Sequence, residues 1–293
     1  MPSAPTLRQL RSLIAAADTG SLSAAARGLH ITQPAASQQV RELERALSVR
    51  LLERGGGAIR PTAIGETVLA HARKVQAAVD DLVAAATAFR GGETGRVRLG
   101  TGATACIHLL PPLLAQMKVR MPGLEIIIAT GNTPDMLRRV QDGGLDAAVV
   151  TLAGRLDRSL APRRLRDEAL LAYGPATLLP GEQPLRPAAL NRLPLILYES
   201  GGTTRGVVDA WFRGAGQTPR PIMELGSVEA IKLLAESGLG ATILPQSAVA
   251  SPAPGMAVHP LRPTLRRSLA VVMRRDKLLD RGLRVCLEEL GRL

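Results

Sequence analysis

Aromatic residues and cysteines are both scarce in this chain of 293 residues. Phe, Trp and Tyr together make up 2% of it, whereas hydrophobic residues make up 46%, so its cores must be built mainly from Leu, Val, Ile and Ala. Two cysteines, Cys106 and Cys286, are too few for a disulfide framework, which indicates a reducing compartment. We expect Cys106 to be a buried residue; the alternative is a redox-sensing thiol activated at a helix N-terminus.

Long apolar runs are also missing. No segment reaches the roughly 18 unbroken apolar residues of a membrane span. The first residues lack the basic stretch and apolar run of a secretion signal. We expect a soluble, cytoplasmic protein of about two domains, without a membrane partner.

The common enzyme and metal motifs are absent from the sequence. It contains no H-E-x-x-H, C-x-x-C, P-loop or G-x-S-x-G pattern. Its four histidines are scattered without metal-ligand spacing: His30, His71, His108 and His259. We therefore expect no catalytic residue, no metal and no cofactor.

One stretch, GTGATA at Gly100 to Ala105, does match the dinucleotide fingerprint G-x-G-x-x-G/A. That interpretation needs an acidic residue near the end of the second strand to hold the ribose. The second strand, LEIIIATG, instead carries Glu125 at its beginning, and Pro111-Pro112 fit poorly in the required helix. An oxidoreductase is therefore a weak alternative.

Acidic residues are fewer than basic ones, and the formal net charge is +12. The basic surplus is spread along the chain: it is 4 up to Arg90 and 8 in the remainder. This balance fits attraction to a polyanion such as nucleic acid. It fits an arginine-rich solvated surface equally well.

The first 60 residues contain three short helical patterns. Apolar residues of the first helix recur at spacings of three and four: Leu7, Leu10, Leu13, Ile14 and Ala17. Ser21 is a good N-cap for a second helix, and Thr32 for a third, with Pro34 in its first turn, where a missing N–H costs nothing.

The third helix has two different faces. Its apolar face contains Ala36, Val40, Leu43 and Leu47, and its polar face contains Gln33, Pro34, Ser37, Gln38, Arg41 and Arg45. Two helices joined by a short turn, the second presenting amides and hydroxyls, predict a helix-turn-helix. Amide side chains pair with adenine edges and arginine with guanine in the major groove. The alternative is a solvated face, which is usually richer in Lys and Glu.

The segment RLLERGGGAIRPT, Arg50 to Thr62, places three glycines between two short extended pieces. This arrangement is typical of a hairpin, which beside a helix-turn-helix forms a wing. Its Arg54 and Arg60 would contact phosphate or a narrow minor groove. A flexible loop is the alternative.

Residues 63–89 carry an apolar stripe at spacings of three and four. The stripe contains Ile64, Val68, Ala72, Val75, Val79, Leu82, Ala86 and Phe89. A repeat near 3.5 residues over several heptads predicts a helix that pairs with a second copy of itself. The alternative is a helix packed on its own domain. The following RGGETG is typical of a hinge.

From Val97 onward, strand and helix patterns alternate, which predicts a parallel sheet with helices on both faces. Small polar residues follow four of the strands. They include Thr104, Asn132 with Thr133, Ser200 to Thr204, and Ser227. Because ligands bind at the carboxyl ends of strands, where helix N-termini present N–H groups, these positions favour a small anion such as a carboxylate. Ordinary N-capping is the alternative at each one.

The segment Gly20 to Arg54, GSLSAAARGLHITQPAASQQVRELERALSVRLLER, resembles the winged helix-turn-helix of LysR-type transcriptional regulators. The stretches LLPPLLAQMKVRMPGLEI and GLGATILP resemble the effector domain of that family, so the resemblance spans essentially the whole chain. It implies an all-α winged helix-turn-helix at 1–62, a dimerising linker helix at 63–90, a hinge at 91–96 and an α/β periplasmic-binding-protein-like domain at 97–293. The subdomains would be 97–163 with 264–293, and 164–263, crossing near Arg163 and Pro263.

The resemblance also implies roles for particular residues. DNA contacts fall to Thr32, Gln33, Pro34, Ser37, Gln38, Arg41, Arg54 and Arg60. Effector contacts fall to Thr104, Asn132, Thr133, Ser200, Thr203 and Thr204. The dimer interface falls to Ile64, Val68, Val75, Val79, Leu82 and Phe89.

The expected partners are double-stranded DNA, a small, anionic effector between the subdomains, and further copies of the chain as a dimer or dimer of dimers. RNA polymerase is a further candidate.

Three positions depart from the family pattern: Ser48 replaces glycine, Leu52 replaces phenylalanine and Gln38 replaces arginine. We expect the first two to be packing changes and the third to alter a phosphate contact or base preference. A solute-binding protein is the remaining alternative, which the first 90 residues oppose.

Overall fold

A computed structural model describes residues 4–55, 58–89, 94–152, 154–181 and 184–293. The chain divides into two compact units at about residue 91. The helices and strands of the first unit are α1 Leu7–Thr19, α2 Leu22–Gly28, α3 Gln33–Leu47, β1 Leu52–Gly55, β2 Ala58–Pro61 and α4 Ala63–Phe89. None of the described helices is long and apolar enough to cross a membrane.

Local capping defines the helices of the first unit, as the sequence predicts. The hydroxyl of Ser21 accepts a hydrogen bond from the backbone of α2, and that of Thr32 accepts from the N–H of Ala35 in α3. Pro34 lies in the first turn of α3. These contacts satisfy N–H groups that a helix start leaves without partners.

The core of the first unit is made by leucines from four different segments. Leu13, Leu43, Leu51 and Leu69 are buried together, with Leu52 packed partly against them. Leu7 and Leu47 of the predicted apolar faces are instead exposed, because they lie at helix ends beyond this cluster. The segments β1 and β2 pair antiparallel, so the predicted hairpin is present.

Ser48 corrects one sequence expectation. It ends α3 with a φ of 55° and a ψ of 28°, in the left-handed region. A residue with a side chain pays a steric cost there that glycine does not. We expected the departure from the family's glycine to be a change in packing; its consequence in the structure is a backbone conformation that costs serine more than glycine.

The second unit alternates strands and helices. Its elements are β3 Thr94–Thr101, α5 Ala103–His108, α6 Leu110–Arg120, β4 Gly123–Thr130, α7 Thr133–Gln141, β5 Ala147–Leu152, β6 Leu160–Pro175, α8 Pro187–Leu190, β7 Leu195–Tyr198, α9 Thr203–Arg213, β8 Pro221–Leu225, α10 Val228–Glu236, β9 Thr242–Pro245, β10 Met256–His259, β11 Leu265–Arg274 and α11 Arg281–Leu290. Strand β3 already begins within the hinge expected at 91–96, of which 91–93 lie outside the described residues.

The main sheet is mixed, whereas the sequence predicts a parallel one. Its order is β10-β6-β11-β5-β3-β4, with β9 also paired to β6. Only β4, β3 and β5 are parallel; β11 runs antiparallel to both β5 and β6. The antiparallel members return from distant parts of the chain, so no local pattern of strand and helix announces their direction. A separate parallel pair joins β7 to β8.

Strands β6 and β11 carry the chain between two subdomains. Leu160 and Leu269 belong to cores of subdomain I, whereas Leu170 and Leu265 belong to a core of subdomain II. The two crossings therefore lie inside paired strands, a few residues beyond the expected Arg163 and Pro263. Pairing of β6 with β11 along both crossings, interrupted only by a register shift between Leu269 and Ala270, removes the need for a loop at either one.

Helices cover both faces of the sheet in subdomain I. One face packs against α6 and α11 through residues such as Met117 and Cys286, and the other packs against α7 through Met136.

The two cysteines differ in burial. Burial raises the pKa of the Cys286 thiol to about 12. Cys106, which we expected to be buried, is only half-buried.

The GTGATA segment forms the end of β3 and the six-residue helix α5. The chain restarts as α6 at Leu110, and the two prolines occupy the first turn of that second helix. A Cβ at Gly100 would lie 2.5 Å from a methyl group of Leu145, so this glycine serves close packing within the subdomain.

Candidate DNA-reading surface and ligand cavity

Helix α3 presents one exposed polar face. Thr32, Gln33, Pro34, Gln38 and Arg41 are exposed, and Ser37 is half-buried. All six predicted residues therefore lie along one side of the helix, opposite its buried Ala36, Val40 and Leu43.

Three of these side chains are hydrogen-bonded to one another. Arg41 donates through Nη1 to Oγ of Ser37, at 2.8 Å, and through Nη2 to Oε1 of Gln38, at 3.2 Å. Nε2 of Gln38 donates to Oε1 of Glu42, at 2.8 Å. The polar face is thus an ordered array of amide, hydroxyl and guanidinium groups, of the types that pair with base edges and phosphates.

The hairpin beside α3 supplies one further described cation. Arg60 is exposed on β2, where its backbone pairs with Glu53 of β1. The side chain of Arg54 lies outside the described residues. Oε1 of Glu44 accepts from the backbone N–H groups of Leu51 and Leu52, which fixes the start of the hairpin relative to α3.

The apolar stripe of α4 divides into two sets. Val68 packs against the core of its own unit and Ala72 is buried. Ile64, Val75 and Leu82 are exposed in the single chain, with 68% of Leu82 accessible, and Val79 is half-buried. The side chain of Phe89 lies outside the described residues.

A cavity of about 430 Å³ lies between the two subdomains of the second unit. Five of the six residues predicted to contact an effector line it: Thr104, Asn132, Thr133, Thr203 and Thr204. The sixth, Ser200, is not part of the lining, and its hydroxyl donates to Glu224. The volume lies within the ordinary range of small-molecule sites.

Helix starts surround this cavity. Residues Thr133, Thr203 and Val228, the first residues of α7, α9 and α10, all contribute to its lining. Helix α7 is capped by Oδ1 of Asn132, but the N-cap of α9 is Gly202, which has no side chain to accept a bond. The first N–H groups of α9 therefore favour an acceptor or an anion at this wall.

Arg267 brings a buried cation to the cavity. Its Nε and Nη2 both donate to Oε2 of Glu168, at 2.9 and 2.7 Å, and Nη1 lies 3.5 Å from Oγ1 of Thr204. Burial alone would raise the pKa of Glu168, but the Arg267 guanidinium and the hydrogen bonds from Ser247 together outweigh it, and the pKa is lowered. The pair is thus ionised, and Nη1 remains oriented toward the lining.

Tyr198 adds a neutral hydroxyl to the same wall. Burial raises its pKa to about 12, although Arg267 and the hydroxyl of Thr104 act in the opposite direction. Its Oη is buried and completes no hydrogen bond of normal geometry to the described residues. A buried hydroxyl without a partner costs free energy, so an acceptor placed here by a ligand is favoured.

Other charges around the cavity offset part of the positive character. Glu199 lines it and is exposed. Arg205 also lines it, but its guanidinium is bound to Asp209 and Glu224, each at 2.8 Å. The described residues contain no cluster of His, Cys, Asp or Glu placed to hold a metal ion.

Sequence reasoning missed Arg267 and Tyr198. Tyr198 ends β7 immediately before the polar run that we singled out, so its position at a strand end was an available signal. Arg267 lies 99 residues from Glu168 in sequence, and only the pairing of β11 with β6 brings it to the cavity.

Comparisons with known proteins find the same family in both units of the chain. The family described as "Bacterial regulatory helix-turn-helix protein, lysR family" matches residues 7–66, and "LysR substrate binding domain" matches residues 90–293. The transcriptional regulator CbbR of Xanthobacter flavus is 32% identical over 286 residues, covering 94% of this chain and 85% of CbbR. IlvR of Caulobacter vibrioides is 33% identical over 245 residues, covering 82% of each chain.

Solved structures give the same result for the fold. A variant of full-length OxyR from Pseudomonas aeruginosa has a TM-score of 0.76 at 27% identity, covering 98% of both chains. Full-length CbnR in complex with its target DNA has a TM-score of 0.69 at 23% identity, covering 98% of this chain and 99% of CbnR. The relatives named here are regulators and not enzymes.

Proposed function

The chain belongs to the LysR family of DNA-binding transcriptional regulators with an effector-binding domain, and we propose that its effector is a small anion. The anion occupies the cavity between the subdomains, where Thr133 and Thr203 offer hydroxyls and Arg267 offers a cation. The single observation that carries this proposal is the convergence of five predicted polar residues and a buried guanidinium on one cavity.

The operator is read through α3. Gln33, Ser37 and Gln38 hydrogen-bond to base edges, while Arg41 and the wing arginines contact the backbone. The face is nearly free of acidic side chains, so phosphate attraction and base contacts act together.

Two copies of the chain pair through α4, and two such dimers form a tetramer. The exposed Ile64, Val75 and Leu82 of one helix meet those of the partner copy, which also brings two reading heads to paired half-sites. RNA polymerase is the protein that such a complex would contact at a promoter.

The effector acts by binding one arrangement of the two subdomains more tightly than another. A ligand with equal affinity for both arrangements would shift nothing. Contacts from Thr104 and Asn132 on one subdomain and Thr203 and Thr204 on the other provide this difference. A ligand in this cavity reaches both sets at once, whereas moving the subdomains apart would separate the two sets.

The base-reading part is tested with the variant Gln38→Ala of the full chain. We expect its protected operator segment in a DNase footprint to be lost at concentrations where weak binding to unrelated duplex remains. Gln76→Ala, a change on α4, serves as the matched control and should leave the footprint intact. An unchanged footprint for Gln38→Ala removes this residue from base reading.

A further inference from the structure

We propose that Glu42 is a positioning residue that fixes the orientation of the Gln38 amide and thereby sets operator specificity. This inference rests on the proposed function, in which Gln38 reads a base. Glu42 follows Arg41 on α3 and is half-buried beside the reading face.

The two hydrogen bonds of Gln38 define which way its amide faces. Its Nε2 donates to the carboxylate of Glu42, at 2.8 Å, and its Oε1 accepts from the guanidinium of Arg41, at 3.2 Å. Turning the amide by half a rotation would place its oxygen against a carboxylate and its NH₂ against a cation. Both contacts are unfavourable, so the array admits one orientation.

The fixed orientation leaves the groups that a base edge requires. A glutamine amide has two N–H donors and two acceptor sites on its oxygen. The bonds to Glu42 and Arg41 use one of each, so one donor and one acceptor remain. A bidentate contact with adenine uses that combination, through N6 and N7.

Glu42 is itself held from the opposite side. Its Oε2 accepts from Nε2 of Gln9, at 3.3 Å. Gln9 belongs to the capping box of α1, because its Oε1 accepts from the backbone N–H of Thr6, at 2.9 Å. Hydrogen bonds from Gln38 and then Gln9 hold the pKa of Glu42 below its ordinary value. The carboxylate is therefore a charged support tied to a second helix.

Removing the negative charge of Glu42 should raise the affinity for DNA of any sequence, whereas removing a side chain that contacts DNA lowers it. A carboxylate beside the reading face repels phosphate, so removing it strengthens non-specific binding. If Glu42 orients Gln38, its removal also weakens discrimination between the operator and other sequences. The ratio of the affinity for the operator to the affinity for an unrelated sequence separates these two effects.

The experiment measures affinity of the full chain for its footprinted operator and for a scrambled duplex of equal length, at one salt concentration. We expect Glu42→Ala to raise affinity for the scrambled duplex and to lower the operator-to-scrambled ratio about threefold to tenfold, as for one lost hydrogen bond. Glu42→Gln retains an acceptor for Gln38 and should recover most of the ratio. In a Gln38→Ala background, Glu42→Ala should leave the ratio unchanged.

An operator-to-scrambled ratio that is unchanged in Glu42→Ala overturns the inference. So does a lowered ratio accompanied by a lower melting temperature of the reading head, if Glu42→Gln does not rescue it. The inference also fails if Glu42→Ala lowers the ratio as much in the Gln38→Ala background as in wild type. If Gln38→Ala itself leaves the ratio unchanged, base reading by Gln38 fails and takes this inference with it. A lowered ratio in Gln38→Ala with none in Glu42→Ala rejects the positioning role alone.

Discussion

Nε2 of His108 lies 2.8 Å from Oε1 of Glu229, joining α5 of subdomain I to the first turn of α10 in subdomain II. Thr104 of α5 and Val228 of α10 line the cavity. The contact therefore bridges the two subdomains beside the cavity, and under the proposed function it favours the arrangement in which an effector touches both.

We predict that His108→Ala weakens effector binding about twofold to tenfold, because one side-chain hydrogen bond contributes about 0.5–1.5 kcal/mol. Isothermal titration of the full chain with an identified carboxylate effector measures this. His71→Ala, a change at an exposed histidine of α4, is the control and should bind normally. Equal affinities for the two variants would show that the contact does not bias the cleft.

The Arg267–Glu168 pair predicts a large loss of stability on neutralising the acid. Glu168→Gln leaves a buried guanidinium without its counter-charge, and we expect the free energy of unfolding at pH 7 to fall by about 3–5 kcal/mol. Glu288→Gln removes an exposed partner of Arg120 and should cost less than about 1 kcal/mol. Denaturant unfolding of both variants measures the difference.

The same pair predicts a pH dependence. The folded pKa of Glu168 is lowered from 4.5, so its contribution is fully present above that value and is lost as the pH falls through the folded pKa. The stability gap between wild type and Glu168→Gln should therefore shrink below about pH 4.5. A gap that stays constant or widens in acid contradicts an ionised pair.

The left-handed Ser48 predicts a stabilising substitution. Ser48→Gly removes a steric cost of about 1–2 kcal/mol and adds part of it back as greater unfolded-chain entropy, so we expect a net gain of about 0.5–1 kcal/mol. Ser237 ends α10 with a φ of −76°, so Ser237→Gly should bring no gain. Thermal unfolding of the two variants provides the comparison, and a loss of stability in Ser48→Gly would contradict the assigned strain.

Exposed Leu82 predicts how the chain assembles. Leu82→Glu places a charge in the proposed α4 pairing, and we expect the dimer dissociation constant to rise by at least tenfold, since burying an unpaired charge is costly. Leu278→Glu, at a comparably exposed leucine of the second unit, is the control. Sedimentation of both variants tests the pairing; an unchanged dimer in Leu82→Glu would place the interface elsewhere.

Local signals account for most of what the sequence predicted. Thr32 and Pro34 mark the start of α3 because capping and a missing N–H act within one turn. Thr133 and Thr203 are found in the same way, since both follow strand ends. The family resemblance supplied the two-subdomain arrangement.

Non-local pairing explains what was missed. Strand β6 begins with the segment LAPRRLRD, which lacks the alternation of apolar and polar residues typical of a strand and in which only Leu160 is buried. It is held extended by β11, a hundred residues later. Arg267 carries no pattern of its own, and its place at the cavity follows from that pairing. The support of Glu42 by Gln9 is likewise non-local, because Gln9 lies on α1, 33 residues away in sequence.

A thermal-shift assay of the full chain tests whether a small anion binds between the subdomains. A ligand that prefers the native state raises the unfolding midpoint. The ligands are acetate, succinate and citrate, each paired with its neutral amide. The proteins are wild type, Thr133→Val and, as a control, Thr218→Val at an exposed threonine. We predict that at least one carboxylate raises the midpoint of wild type and Thr218→Val but raises that of Thr133→Val much less, while its amide raises none. An equal rise of the midpoint in all three proteins, or a rise with the amide alone, would contradict binding of an anion in the cavity lined by Thr133.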